Sequence, residues 1–392
     1  MHVAQISFYL DPLARRPAQL LKEWPTLADV AEAVAQTGAR VSVIQACAVQ
    51  EEISLKDVNY YFVPVTGRRR SIVHSGRFAE LLRHLAPDVI HVHGLGFARD
   101  VIALAAMRLG VPIVIQDHAD RVPRIWRRSW WRRGLAPASG IIFTAAAQAE
   151  PFRRAGLLPP AINVFDVPES SSRFTPGNQD EAQRLTGIYG DPCLLWVGHL
   201  NKNKDPLTVL EGVRQASEYL PGLRLWCCFG VAPLLDTVRR RIRRDPRLAR
   251  RVELMGKVAH PQIEHLMRAA DLFVLGSLRE GSGYALIEAL ACGLPPVVTD
   301  IPSFASLTDQ GRIGALWPRA DHRGLCKALL GVAAKPRNVV RAEVRAHFQD
   351  EISFGAIGRK LVAAYRHVLT PVRPAIPTVS ASAASGSSQW PQ

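Results

Sequence analysis

The chain has 392 residues, 48% of them hydrophobic and 21% charged, with a formal net charge of +15 at pH 7. That length predicts about two domains, each able to bury its own core, and the composition excludes a low-complexity or wholly disordered chain. The positive field attracts nucleotides, phosphates, nucleic acid or acidic lipid alike, so charge alone selects no partner.

Six cysteines, Cys47, Cys193, Cys227, Cys228, Cys292 and Cys326, include no C-x-x-C pair and mostly lie in apolar runs. That pattern reads as buried free thiols in a reducing compartment. The first residues carry no basic stretch followed by a long apolar run, and no apolar run reaches the ~20 residues of a membrane span. A cytoplasmic protein is expected.

In chain order, residues 3–8 read as a strand, 27–36 as a helix ended by Gly38, and 41–46 as a second buried strand. A strand at 89–93, a helix at 98–108 and strands at 112–116 and 140–145 follow. Proline, serine and glycine then cluster at 167–177, as in a linker. The alternation restarts with strands at 193–197, 224–229, 252–255, 272–275 and 296–299. Helices at 207–218, 234–244, 263–269 and 284–291 separate them, and helices near 323–333 and 354–368 close the pattern.

Such alternation predicts an α/β protein of two doubly wound, Rossmann-like domains built on parallel sheets and facing across a cleft. The expected division is 1–170 and 171–353, with a helix near 354–370 packing back onto the first domain and a disordered tail at 371–392. Ligands in such sheets bind at the carboxyl ends of strands, so the loops there are the places to look.

Residues 271–300 read D-L-F-V-L-G-S-L-R-E-G-S-G-Y-A-L-I-E-A-L-A-C-G-L-P-P-V-V-T-D. Glu280 sits on a loop after a strand, and Gly281, Ser282 and Gly283 turn the chain into a helix opened by Tyr284 and Ala285 and carrying Glu288. Small residues let backbone N–H groups approach a ligand, and a helix N-terminus favours a phosphate. Glu280 is placed to accept bonds from sugar hydroxyls, and Glu288 to take both hydroxyls of a ribose. Singly, each glutamate reads as helix capping or surface charge; the full arrangement is far more specific.

The E-x7-E spacing from Glu280 to Glu288, with G-x-G between and A-C-G-x-P after, resembles the retaining GT-B glycosyltransferases of family four. The resemblance covers roughly residues 1–370. It implies a nucleotide-diphosphate-sugar donor held mostly by the second domain, UDP and GDP both open, and an acceptor held mostly by the first. It implies no cofactor and no metal, and the chain has no D-x-D motif.

In that family an arginine follows a strand-end glycine and a lysine comes five residues later. Here His199 follows Gly198, and Lys204 matches the lysine. Lys204 is then implied to stabilise the leaving diphosphate, and His199 to be a weaker phosphate clamp than guanidinium. Lys257 and Val258, after Gly256, resemble the loop where the base docks. His118, in Gln116-Asp117-His118-Ala119-Asp120, resembles the histidine that faces the donor sugar across the cleft. Catalysis is thereby implied for Glu280, His118 and Lys204. Retention would follow from front-face attack, with the departing diphosphate oxygen taking the acceptor's proton.

His91 and His93 alternate on one strand and so share a face; they read as structural or acceptor-side, with no metal. In the first loop, Arg15 or Arg16 is placed to supply charge where many members have paired glycines. Residues 121–133, from Arg121 to Arg133, read R-V-P-R-I-W-R-R-S-W-W-R-R. That mix suits a basic lid or a helix packing its tryptophans inward, or contact with an anionic membrane. The basic run at 239–251 reads as a solvated helix face.

Three rival readings differ in class. An epimerase on the same scaffold would use the donor without an acceptor. A dinucleotide oxidoreductase needs G-x-G-x-x-G after the first strand, and the sequence lacks it. A catalytically silent basic relative that binds nucleic acid or another anion is the third, with His199 in place of the arginine as its mark. Nucleic-acid binding would need a recognition motif, and none accompanies the charge, so no nucleic acid is expected.

Overall fold

The computed structural model describes residues 1–65 and 72–370. The tail predicted at 371–392 lies outside the described residues. The first sheet contains β1 (His2–Ser7), β2 (Arg40–Cys47), β3 (Glu51–Leu55), β4 (Val58–Pro64), β5 (Val89–His93), β6 (Ile113–Gln116), β7 (Ala138–Phe143) and β8 (Asn163–Asp166). Their spatial order is β3-β4-β2-β1-β5-β6-β7-β8, parallel throughout except for the β3–β4 hairpin at the edge.

The second sheet contains β9 (Cys193–Val197), β10 (Arg224–Cys228), β11 (Val252–Gly256), β12 (Leu272–Leu275), β13 (Pro296–Thr299) and β14 (Ala315–Trp317). Its order is β11-β10-β9-β12-β13-β14, all parallel. The edge strands β3, β8 and β14 escape the sequence reading, because short, half-exposed strands carry little continuous hydrophobicity, and the largely buried β4 escapes it as well.

Strand periodicity accounts for the two cores around the first sheet. Ala4, Ile6, Ile90 and Val92 pack on one face, whereas Val3, Val41, Val89 and Val114 pack on the other. The second of these cores is completed by the last helix, Phe354–Leu369, which buries Ile357, Leu361, Val362 and Tyr365 against the helix Pro25–Ala35. At ~1.5–3 kcal/mol per fully buried large apolar side chain, this helix is a structural part of the first unit. The chain therefore crosses between the units twice. It goes over through residues 167–178 and returns at Ser353, just after Phe348 and Ile352 in the second unit's core.

The segment at 167–178 is not a loose tether. Val167, Ser170, Ser171 and Phe174 are buried there, so the polar composition that marks a linker here coats an interface. All six cysteines are buried and unpaired. Among the described residues, no helix is long and apolar enough to cross a membrane.

Candidate active site

Backbone bonds fix the loop after β12. Leu278 N–H donates to the Asn203 carbonyl (2.7 Å), Asn203 Nδ2 donates to the Arg279 carbonyl (2.9 Å), and Thr299 Oγ1 donates to the Ser277 carbonyl (2.5 Å). Gly283 then caps the helix Tyr284–Ala291 with φ +86°, and a Cβ there would lie 2.5 Å from the Phe304 ring. Glycine alone meets both demands.

Lys204, on the loop after β9, places Nζ 2.5 Å from Glu280 Oε1, and each side chain is 15% exposed. The pair stands beside the amino end of the helix Tyr284–Ala291, where free backbone donors and the helix dipole favour an anion. His199 opens to solvent, and its Nδ1 accepts the Val231 N–H at 3.2 Å. A ring accepting at Nδ1 in this way keeps its neutral-form proton on Nε2, which remains a donor.

Across the cleft, the loop after β6 presents His118. Its Nδ1 lies 2.6 Å from Glu169 Oε1, and its Nε2 lies 3.0 Å from His93 Nδ1. Glu169 comes from the crossing segment and also reaches the second unit. Ser282 Oγ donates to its Oε2 at 3.0 Å, and the Tyr284 hydroxyl bonds the same carboxylate.

Burial alone would lower the pKa of His118, but the Glu169 carboxylate outweighs it and the net direction is up. Burial would raise Glu169, but the donors around it reverse the direction. Asp117, buried and close to Asp120, is pushed up to about 7. His93 falls well below its ordinary value through burial, then through repulsion from His91 and His118. The rings of His91 and His93 lie 4.3 Å apart, and Tyr365 holds His91 Nδ1 at 2.7 Å. No metal-ligating cluster of three or more such residues occurs among the described residues.

Further contacts join the units at the same place. Thr144 and Ser282 hydroxyls are 2.8 Å apart, Gln148 Nε2 donates to the Gly281 carbonyl (2.8 Å), and Arg279 donates to the Asp120 carbonyl (3.0 Å). A Cβ on Gly281 would lie 2.6 Å from Ala119 Cβ, so the loop carrying Glu280 is pressed against the loop carrying His118.

Glu288 is held by His260 Nε2 at 2.6 Å. Burial raises Glu288 more than His260 lowers it. Lys257 is exposed and Val258 packs on the core below. Arg15 takes another part than the one read from sequence. Its guanidinium bonds Asp11 at 2.8 and 2.9 Å and Glu23 at 3.3 Å, so it offers no free charge to a phosphate. The basic stretch is also split. Trp131 stacks on Phe152, but Trp126 and Trp130 are 66% and 44% exposed, which overturns the inward packing for those two.

The sites at the strand ends thus form one assembly containing Glu280, Lys204, His118, Ser282, Gly283, Tyr284 and Glu169. His199, Glu288 and Lys257 flank it on the second unit's strand-end loops and the helix that carries the motif. Sequence reading misses Glu169, Gln148, Arg279 and His260. Glu169 alone carried a signal, as a lone acid in a proline- and serine-rich stretch.

Two doubly wound units closing on one cleft of this kind define a GT-B fold. The chain matches the family models described as "Glycosyl transferases group 1" at residues 191–335 and "Glycosyltransferase Family 4" at 26–165. It belongs to this family of glycosyltransferases.

It is 27% identical over 237 residues to the GDP-mannose:cellobiosyl-diphosphopolyprenol alpha-mannosyltransferase of Xanthomonas campestris, across 58% of this chain and 60% of that protein. It is 29% identical over 306 residues to the D-inositol 3-phosphate glycosyltransferase of Geodermatophilus obscurus, across 71% and 66%. The match thus spans about 60% of the length of the first of these relatives. Two solved structures share the fold. A glycosyltransferase from Rickettsia africae has TM-score 0.70 at 11% identity, covering 94% of this chain and 98% of that one. Anabaena HepE in complex with UDP has TM-score 0.65 at 16% identity, covering 94% and 100%.

Proposed function

We propose that the protein transfers a sugar, with retention of configuration, from a nucleoside-diphosphate sugar to an acceptor bound by the first unit. The observation that carries this is the Lys204–Glu280 pair beside a helix N-terminus, directly across a narrow cleft from His118. Lys204 and the N–H groups at Gly283 to Ala285 stabilise the diphosphate as negative charge develops. Glu280 and His118 hold the sugar hydroxyls, and Glu288 takes the ribose once His260 is displaced. The C1–O bond to diphosphate breaks while a C1–O bond to the acceptor forms on the same face. The acceptor's proton passes to the departing phosphate oxygen.

The loop Gly256-Lys257-Val258 presents backbone to the base. One relative is named for GDP-mannose and one fold neighbour was solved with UDP, so both nucleotides belong in the test. In a thermal-shift and turnover screen of nucleotide sugars, one donor raises the melting temperature and is slowly hydrolysed. Glu280→Ala lowers that hydrolysis at least ~100-fold, in line with removal of a group that acts in the transition state. Unaltered hydrolysis in the variant refutes the assignment.

A location at the cytoplasmic face of a membrane is part of this reading. Ile125 (75% exposed), Trp126 and Trp130 project among Arg124, Arg127 and Arg128, the pairing of apolar wedge and cation that anionic interfaces attract. Sedimentation with vesicles containing anionic lipid is expected for wild type and lost in Trp126→Ala/Trp130→Ala. Equal sedimentation with uncharged vesicles removes the electrostatic part.

A further inference from the structure

The first unit holds a cavity of about 750 Å³ that runs from the strand ends to His118 and Tyr284. Its floor is uncharged and polar, made by Gln5 and Ser7 of β1 and by His93 of β5. Trp24, Leu27 and Phe97 give it an apolar wall, and Tyr9 meets the Trp24 ring edge-on at a centroid distance of 5.6 Å. Its charges run against those of the whole molecule. Asp11, Glu23, Asp120 and Glu169 line it, whereas its cations are Arg15 and His118.

Neither cation is free. Arg15 is clasped by Asp11 and Glu23, and Arg15 holds the Asp11 carboxyl well below the usual carboxylate range. His118 is paired with Glu169. His93 is kept neutral by burial. A chain with a net charge of +15 thus shapes a cavity in which carboxylates outnumber cations.

We propose that this cavity binds an uncharged saccharide as acceptor, its C–H face laid on Trp24, and rejects phosphorylated sugars. The proposal rests on the transferase reading and names the substrate class of that site. A phosphate entering the cavity would leave water without meeting a free guanidinium or ammonium, and would face carboxylates at short range. A neutral sugar loses little on desolvation, because the polar floor supplies donors and acceptors while the aromatic wall covers its apolar face.

Ligand-observed saturation-transfer NMR with matched p-nitrophenyl disaccharides, unmodified and 6-phosphorylated, tests the class. Thermal shift by the nucleotide sugar, run in parallel, tests the donor site, so failure of the transferase reading appears there and not in the NMR. The neutral compound is expected to bind at least tenfold more tightly than its phosphate. Trp24→Ala should abolish its signal, Trp24→Phe should retain it, and neither should alter the donor-induced shift. Glu23→Gln, which partly releases Arg15, should narrow the discrimination. Equal or tighter binding of the phosphate, no binding of the neutral compound, or binding indifferent to Trp24→Ala overturns the proposal.

Discussion

At the scale of single residues, Glu169 has the most demanding position. It is a carboxylate on the crossing segment that bonds a histidine of one unit and a serine and tyrosine of the other. The linkage has a definite sign. His118 is raised above its ordinary 6.5, so its share of the pairing is complete below that value and is lost as pH rises through the raised one. Glu169 is lowered from its ordinary 4.5, so its share is present above that value and is lost as pH falls through the lowered one. The contact is therefore firm in between, across mildly acidic conditions. Glu169→Gln should move the His118 titration, followed by imidazole NMR, downward. An unmoved titration would mean that the pair does not persist in solution.

The residues legible in sequence share one property. Glu280, Gly281, Gly283 and Glu288 lie within one strand-loop-helix passage, where spacing alone determines placement. Lys204 and His118 were legible because each lies on a loop that follows a recognisable buried strand and matches the family pattern there. Glu169 and Gln148 were not, since each meets residues more than a hundred positions away, and no local period records such a meeting. Arg15 shows the converse: its charge was plain, but its capture by Asp11 and Glu23 depends on folding of the loop.

At the scale of elements, the helix Phe354–Leu369 is the clearest case of a segment far along the chain completing an early core. Gly358 marks how close it comes, for a Cβ there would stand 2.2 Å from the Ala33 carbonyl oxygen. Alanine at a mid-helix glycine normally gains up to ~1 kcal/mol. Here the neighbour is backbone and cannot swing aside, and overpacking costs about 1–3 kcal/mol. Gly358→Ala is thus expected to destabilise the first unit, lowering its denaturant midpoint, whereas Gly331→Ala, with open space around it, should not. The alternating apolar runs made most of the central strands legible. The β3–β4 hairpin was not: β3 is exposed along most of its length, and β4, though largely buried, was not read as a strand.

At the scale of the whole molecule, the two units meet where the chemistry is assigned. Gly281 against Ala119, Gln148 against the Glu280 loop, and Arg279 against the His118 loop together hold the cleft shut. Gly281→Ala inserts a methyl group into the tightest of these contacts. It should hold the units apart, reducing kcat at least ~10-fold through misplacement of the reacting groups, while the donor-induced thermal shift changes little. A larger radius of gyration in solution scattering would accompany it. An unchanged kcat would show that this contact is not part of the working state.

The double crossing of the chain, through residues 167–178 and again at Ser353, constrains how such a cleft can open. One covalent strap would permit swivel in any direction. The two straps lie against each other, Arg173 over the Phe354 ring at 5.4 Å, and together act as one hinge. Atoms near that hinge travel least. Glu169 rides on one strap, so its grip on His118 lies close to the axle, while the rims of the two units sweep the larger arc. Opening would then admit and release nucleotide like a door on its frame, without scrambling the alignment of the parts nearest the hinge.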